Sequence, residues 1–307
     1  MFDNFLTVAQ QVIILFILIG LGAILTKAKV LTRECIAGMT NLVLYVVTPC
    51  VIIESFEREF DRTMLVGLGV TCLIAFAVHG LGILLAKLTV HHKDEAKEKV
   101  YRFAVIFSNC GYMSLPLMRV VLGSEGVFYG AAYIAVYNIM LWTYGLALMS
   151  GKSEGMSLRK IVTNPGIIGV VIGLILFLSP ITLPEIIASP VSYMASLNTP
   201  IPMLVIGFYL MQSSPAGVLK AGTTWLVCGL RLIAVPLISF ALMYAVGVRG
   251  TILVACTISA SAPTAAGTTM FAMKFGGDAE LAGNLVSVTT LLSVVTMPIL
   301  VAIAQMV

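Results

Sequence analysis

The sequence predicts an all-α integral membrane protein, with ten transmembrane helices forming two inverted five-helix repeats and with the fourth and ninth spans broken and crossing. Three observations predict this. Of 307 residues, 59% are hydrophobic and only 10% charged, whereas a soluble domain turns roughly 25% charged residues toward water. The apolar residues come in runs near the length of about 20 that crosses the hydrocarbon layer. Two of those runs, in corresponding halves of the chain, are interrupted at their centres by Gly, Pro, Ser and Thr.

The apolar runs fall at 8–26, 37–54, 63–89, 101–122, 126–149, 161–179, 190–212, 221–247, 251–273 and 281–306. The first follows Met1-Phe2-Asp3-Asn4, which lacks the basic n-region of a signal peptide, so it is expected to stay in the protein. Lys and Arg in the short loops set the orientation. With the N-terminus outside, the inner loops hold Lys27, Lys29, Arg33, Lys87, Lys93, Lys97, Lys99, Arg102, Lys152, Arg159, Lys160, Lys220 and Lys274. The outer loops then hold only Arg58, Arg62 and Arg249. That roughly fourfold excess puts the chain across a cell (cytoplasmic) membrane with both termini on the extracytoplasmic side.

The halves resemble each other. Thr48-Pro49 in the second run recurs as Thr199-Pro200 in the seventh, and Leu122-Gly123-Ser124-Glu125 recurs as Phe275-Gly276-Gly277-Asp278. Five spans per half is an odd number, so the second repeat must be inverted, a recurring arrangement in membrane proteins. The expected units are 1–150, a polar linker at 151–160 and 161–307. The mixed-charge stretch His91-His92-Lys93-Asp94-Glu95-Ala96-Lys97-Glu98-Lys99 reads as a solvated helix-capping turn on the cytoplasmic side rather than a metal or regulatory site built on its two histidines. Six cysteines form no CxxC pair and no cluster with histidine, so no metal or cofactor is expected. The net charge of +4 lies mostly in loops at the membrane edge and points to lipid rather than nucleic acid.

The two interrupted spans carry the chemistry. Ser108-Asn109-Cys110-Gly111-Tyr112-Met113-Ser114-Leu115-Pro116 and Ser259-Ala260-Ser261-Ala262-Pro263-Thr264-Ala265-Ala266-Gly267-Thr268-Thr269 each lie mid-span. Proline has no N–H to give, and glycine weakens a helix. In hydrocarbon each freed backbone group costs several kcal/mol, so such breaks persist only inside protein or beside a polar cavity. Two breaks at equivalent places should meet near the midplane, where half-helix N-termini offer N–H groups and a positive dipole end to an anion.

The run Asn109-Cys110-Gly111-Tyr112-Met113-Ser114-Leu115-Pro116-Leu117 resembles the fourth-span motif of the auxin efflux carrier family, which includes the plant PIN proteins and many bacterial members. Pro49, Pro263 and Pro298 also match that family's pattern, and the resemblance covers essentially the whole chain. The plant-type ninth span carries a second proline where this chain has Thr268, so a gentler break is expected there. The resemblance implies a secondary transporter of organic anions, typically carboxylates, with an elevator fold related to the sodium–bile-acid symporters. It implies a scaffold of spans one, two, six and seven that forms a homodimer through spans two and seven, and a moving unit of spans three to five and eight to ten. It further implies that Asn109 meets the substrate carboxylate and that Pro116 and Pro263 shape the crossover. Gly111, Ser114, Thr264, Gly267 and Thr268 join the expected site by position.

The remaining polar residues within spans have more than one reading each. Arg119 attracts an approaching anion, pairs with Glu125 or snorkels outward. Arg231, about 15 Å into the eighth span at helical rise, either forms a structural pair or meets the substrate. His79 either bonds a backbone carbonyl or carries a coupling proton. Tyr137 and Asn138 in the fifth span are expected at the pocket wall, while Asn284, Ser287, Thr289, Ser293 and Thr296 in the tenth read as interhelical packing. An enzyme would need a nucleophile and base, or paired acids, at one depth. His79 is the one base available within a span, so no enzyme is expected. A sodium-coupled symporter of the bile-acid type and a transporter-derived sensor are the alternatives to a carrier.

Overall fold

The computed structural model describes residues 2–151, 163–179, 181–212 and 219–307, which form helices joined by short connections. Lys152, Arg159, Lys160 and the expected linker beyond Gly151 lie outside the described residues. In chain order the helices are α1 (Phe2–Lys27), α2 (Arg33–Phe56), α3 (Arg62–Thr89), α4 (Glu95–Ile106), α5 (Cys110–Ser150) and α6 (Pro165–Leu178). They continue as α7 (Glu185–Ser196), α8 (Pro200–Gln212), α9 (Gly222–Ala245), α10 (Gly250–Ser261), α11 (Gly267–Phe275) and α12 (Ala279–Ala304).

Seven described stretches are long and apolar enough to cross a membrane, with α7 and α8 acting as one, and α6 and α10 are shorter apolar helices. α5 is too long for a single crossing. Its 41 residues would extend about 60 Å as a straight helix, twice the hydrocarbon thickness. It is not straight: Gly123 sits at φ 67, ψ −155, a conformation open to glycine because it lacks Cβ. One arm therefore ends at the expected close of the fourth span and the other begins the fifth. Gly276, its counterpart in the second half, is also left-handed at φ 73 and ends α11.

Helix starts follow local chemistry. Asp61, Asp94, Asn164 and Asp278 each cap a helix by accepting from backbone N–H groups in its first turn, the standard remedy for orphan donors. Three helices widen to a π turn just before a proline: Val43–Val47 before Pro49, Cys110–Ser114 before Pro116 and Leu230–Ala234 before Pro236. Proline supplies no N–H to the preceding turn and its ring crowds the carbonyl there, so the turn opens by one residue and the helix continues.

Packing is that of a membrane protein turned toward lipid. Ile17, Leu73, Val171, Ile175 and Val295 are exposed on helix surfaces, while Ser55, Thr71, His79, Arg231, Thr257 and Thr289 are buried. With no water to drive helices together, close contact depends on small residues. α1 crosses α8 where Gly22 meets the Leu204 backbone and Gly207 meets the Ile19 carbonyl. α2 lies on α6 where Gly169 faces Pro49 and Gly173 faces Phe56. Beside the second contact, Phe128 packs against Phe56 and Phe177 at centroid distances of 4.6 and 5.1 Å.

A Cβ at Gly207 would collide with backbone atoms of α1, whereas one at Gly20 meets nothing within 4 Å. Gly207→Ala is expected to lower stability by about 1–3 kcal/mol, the usual cost of overpacking, and Gly20→Ala to leave it unchanged. Thermal unfolding of the two variants in detergent checks the difference.

Candidate functional site

The site begins with two interrupted helices that complete each other. α4 ends at Ile106 and α5 starts at Cys110; α10 ends at Ser261 and α11 starts at Gly267. The intervening segments run antiparallel, bridged at Ser108 and Thr264. Asn109 donates its backbone N–H to the Pro263 carbonyl at 2.7 Å, and Ala265 donates to the Phe107 carbonyl at 2.9 Å. Side chains supply the rest. The Thr264 hydroxyl donates to the Ala104 carbonyl at 3.1 Å, the Thr289 hydroxyl accepts the Thr264 N–H at 3.1 Å, and the Ser114 hydroxyl donates to the Ile258 carbonyl at 3.3 Å. Backbone groups that neither helix can satisfy alone are thus satisfied by the other and, at the Thr264 N–H, by Thr289 of α12, as a hydrocarbon setting demands.

A cavity of about 290 Å³ adjoins this crossing. Ser108, Asn109, Gly111 and Tyr112 line it from the first break, and Ala265, Ala266, Gly267 and Met270 from the second. Ile134, Tyr137, Asn138 and Leu141 of α5 form another wall; Thr40, Asn41, Leu44 and Thr48 of α2, with Val205 and Tyr209 of α8, close it. Neither Cys110 nor Gly267 opens its helix behind a side-chain cap. Two helix N-termini, each with unpaired N–H groups and a partial positive charge, therefore adjoin one space. The Asn109 side chain is 5% exposed and its Nδ2 has no hydrogen-bond acceptor among the described residues. Among those residues no Lys, Arg, His, Asp or Glu lines the cavity, so its polarity comes from amides, hydroxyls and helix ends.

Of the expected site residues, Asn109, Gly111, Gly267, Tyr137 and Asn138 come together around this cavity. Ser114, Pro116, Pro263, Thr264 and Thr268 are buried beside it without lining it; Ser114, Pro263 and Thr264 bond across the crossing, and Pro116 follows the π turn that opens α5. The lining from α2 and α8, and Tyr112 and Met270 beside the breaks, were not anticipated. Thr40, Asn41 and Thr48 carried a signal, being polar within an apolar run, but nothing local says which way they face.

The charged candidates lie apart. Arg119 pairs with Glu54 of α2, not Glu125, and Glu54 also accepts from Ser192 of α7. His79 bonds the Ala75 carbonyl through Nδ1 at 2.7 Å, with its ring among Phe107, Tyr133 and Tyr137. Arg231 donates to carbonyls of Val105 and Ala260. Among the described residues no group of three or more His, Cys, Asp or Glu is placed to hold a metal.

The sequence profile of the family described as "Membrane transport protein" matches residues 7–160 and 152–301. The chain is 26% identical to a protein of Methanothermobacter thermautotrophicus named "Uncharacterized transporter", over 96% of this chain and 98% of that one. It is 24% identical to a Rhizobium meliloti protein named "Putative malonate transporter", over 92% and 91% of the two chains. A rice protein (Oryza sativa subsp. japonica) named "Probable auxin efflux carrier component 5c" is 30% identical over 47% of this chain and 39% of its own. With nearly its whole length matched, and with the fourth-span motif that resembles the auxin efflux carriers, the chain belongs to the membrane transport protein family and is a multi-pass membrane transporter, not an enzyme.

Proposed function

We propose that the protein is an elevator-type carrier for a small organic anion bearing one carboxylate, seated in the cavity beside the crossing. One observation carries the reading: two uncapped helix starts and the unpartnered Asn109 amide adjoin a cavity without a fixed charge among the described residues. Helix N-termini favour anions through their N–H groups and dipole, and a neutral lining leaves that preference unopposed. Met270, Phe271, Tyr112, Tyr137 and Tyr209 surround the space with apolar and aromatic surface, which suits an apolar body behind the carboxylate. The relative named for malonate supports a carboxylate of some kind.

The same reading takes the chain as ten crossings of the cytoplasmic membrane, in two inverted repeats of 1–150 and 161–307 with both termini outside. The positive φ of Gly123 and Gly276 at matching places supports the repeat, and α4 with the first arm of α5 makes one broken span, as α10 with α11 makes the other. In this orientation Thr40, Asn41, Met270 and Tyr209 lie in the cytoplasmic half, so the cavity faces inward. On the outer side, the Arg119–Glu54 pair and Arg58 over the Phe128 ring at 4.9 Å tie α2 to α5. α1, α2, α6 and α8, locked by glycine contacts, are the natural scaffold, with dimerisation through the second and seventh spans; the crossing and its neighbours move.

A thermal-shift screen of carboxylates on purified protein is expected to rank monocarboxylates with apolar bodies above malonate; a preference for dicarboxylates overturns the single-charge reading. Asn109→Ala should weaken binding of the best ligand about tenfold, the scale of a hydrogen bond to a charged group, with expression unchanged. Unaltered affinity removes Asn109 from the site. In a Cys35→Ser background, a cysteine in place of Gly111 should react with an impermeant thiol reagent at a rate that changes with saturating ligand. A rate indifferent to ligand counts against a moving carrier.

A further inference from the structure

Arg231 is the largest fully buried side chain among the described residues, 1% exposed, and it lies in the π turn Leu230–Ala234 of α9. No carboxylate pairs with it among the described residues. Its partners are backbone carbonyls: Nη1 donates to Val105 at 2.9 Å, with Ile106 at 3.5 Å, and Nη2 donates to Ala260. Val105 and Ile106 close α4, and Ala260 is the last residue but one of α10. A helix C-terminus leaves carbonyls unsatisfied and carries a partial negative charge. Two such ends converge here, and one guanidinium answers both.

We propose that Arg231 is a tethered cation for the crossing, a positioning residue that holds the two carbonyl ends together so that the opposite, N–H-bearing ends stay aimed at the anion. A lone buried charge is costly unless paired and hydrogen-bonded; here the pairing partner is the summed dipole of two helices. Three carbonyl oxygens around a positive centre also resemble the coordination that a hard cation takes from protein. Removal of the side chain should therefore leave a vacant site for a small free cation, which the native protein does not need. The inference rests on the anion reading only for the second half of that role.

The test uses full-length protein in detergent, with Arg231→Met to delete the charge and Arg231→Lys to keep it. Guanidinium chloride and sodium chloride at millimolar concentration are compared with tetramethylammonium chloride. Arg231→Met without added ligand should melt several degrees below wild type and regain stability with guanidinium or sodium, because an ion bound only by the folded state stabilises it. Wild type should not respond, and Arg231→Lys should fall between. Carboxylate affinity of Arg231→Met should drop at least tenfold and recover with the same ions. If Arg231→Met responds to all three salts alike, or to none, the tethered-cation role is overturned. If it yields no monodisperse protein, recovery on purification in guanidinium supports the role, and failure there overturns it. A wild type that binds no carboxylate defeats the anion reading instead, while the melting comparison still decides the role of Arg231.

Discussion

The structure depends on one constraint: backbone N–H and carbonyl groups away from water must find partners in the protein. An unbroken helix meets it within itself. This chain breaks two helices where that is most expensive, and the breaks repair each other. The Asn109 N–H goes to Pro263 and the Ala265 N–H to Phe107, while Thr264 reaches Ala104. Neither break is viable without its partner, so the two interrupted helices form one unit.

The repair also sorts charge. Each interrupted helix has one cut end showing carbonyls and one showing N–H groups. The carbonyl ends, at Ile106 and Ser261, are gathered on the side where Arg231 is buried. The N–H ends, at Cys110 and Gly267, fall beside the cavity. A polarity that would cancel in two straight antiparallel helices is thus answered in two ways, the carbonyl ends by a cationic side chain and the N–H ends by an adjoining space. On the anion reading proposed above, a neutral lining would discriminate by charge sign without an ionised group to desolvate.

Much of this was legible in the sequence, for identifiable reasons. Pro263, Gly111 and Gly267 lie in or beside the interruptions because proline and glycine act locally, and the polar residues around them say that the interruption faces protein; at Pro116 the helix continues after a π turn, and the break falls upstream of Cys110. Asn109 followed from the motif that resembles the auxin efflux carriers, and Tyr137 and Asn138 from their place beside those spans. What stayed hidden depends on groups without a sequence signature. Arg231 could be read as too deep to reach water, but its partners are carbonyls, which every residue carries. Thr40, Asn41 and Tyr209 enter the cavity only because α2 and α8 pack where Gly22, Gly169 and Gly207 allow, and that depends on tertiary contacts. The π turns before Pro49, Pro116 and Pro236 were predictable in principle, since proline requires some local adjustment, yet its form was open.

The bridge between Ser108 and Thr264 also has a bearing on how the chain is made. Its two sides are separated by about 150 residues, which a ribosome adds at about 5–20 per second. For roughly eight to thirty seconds, the first interruption exists in the membrane before its complement has been synthesised. During that interval the Asn109 N–H and the Ala104 and Phe107 carbonyls must be met by temporary means: water, lipid headgroups, the insertion machinery or a continuous helix that later opens. Biogenesis of this protein thus contains a waiting period set by the distance between its halves along the polypeptide, and the cavity beside the crossing is among the last features to be completed.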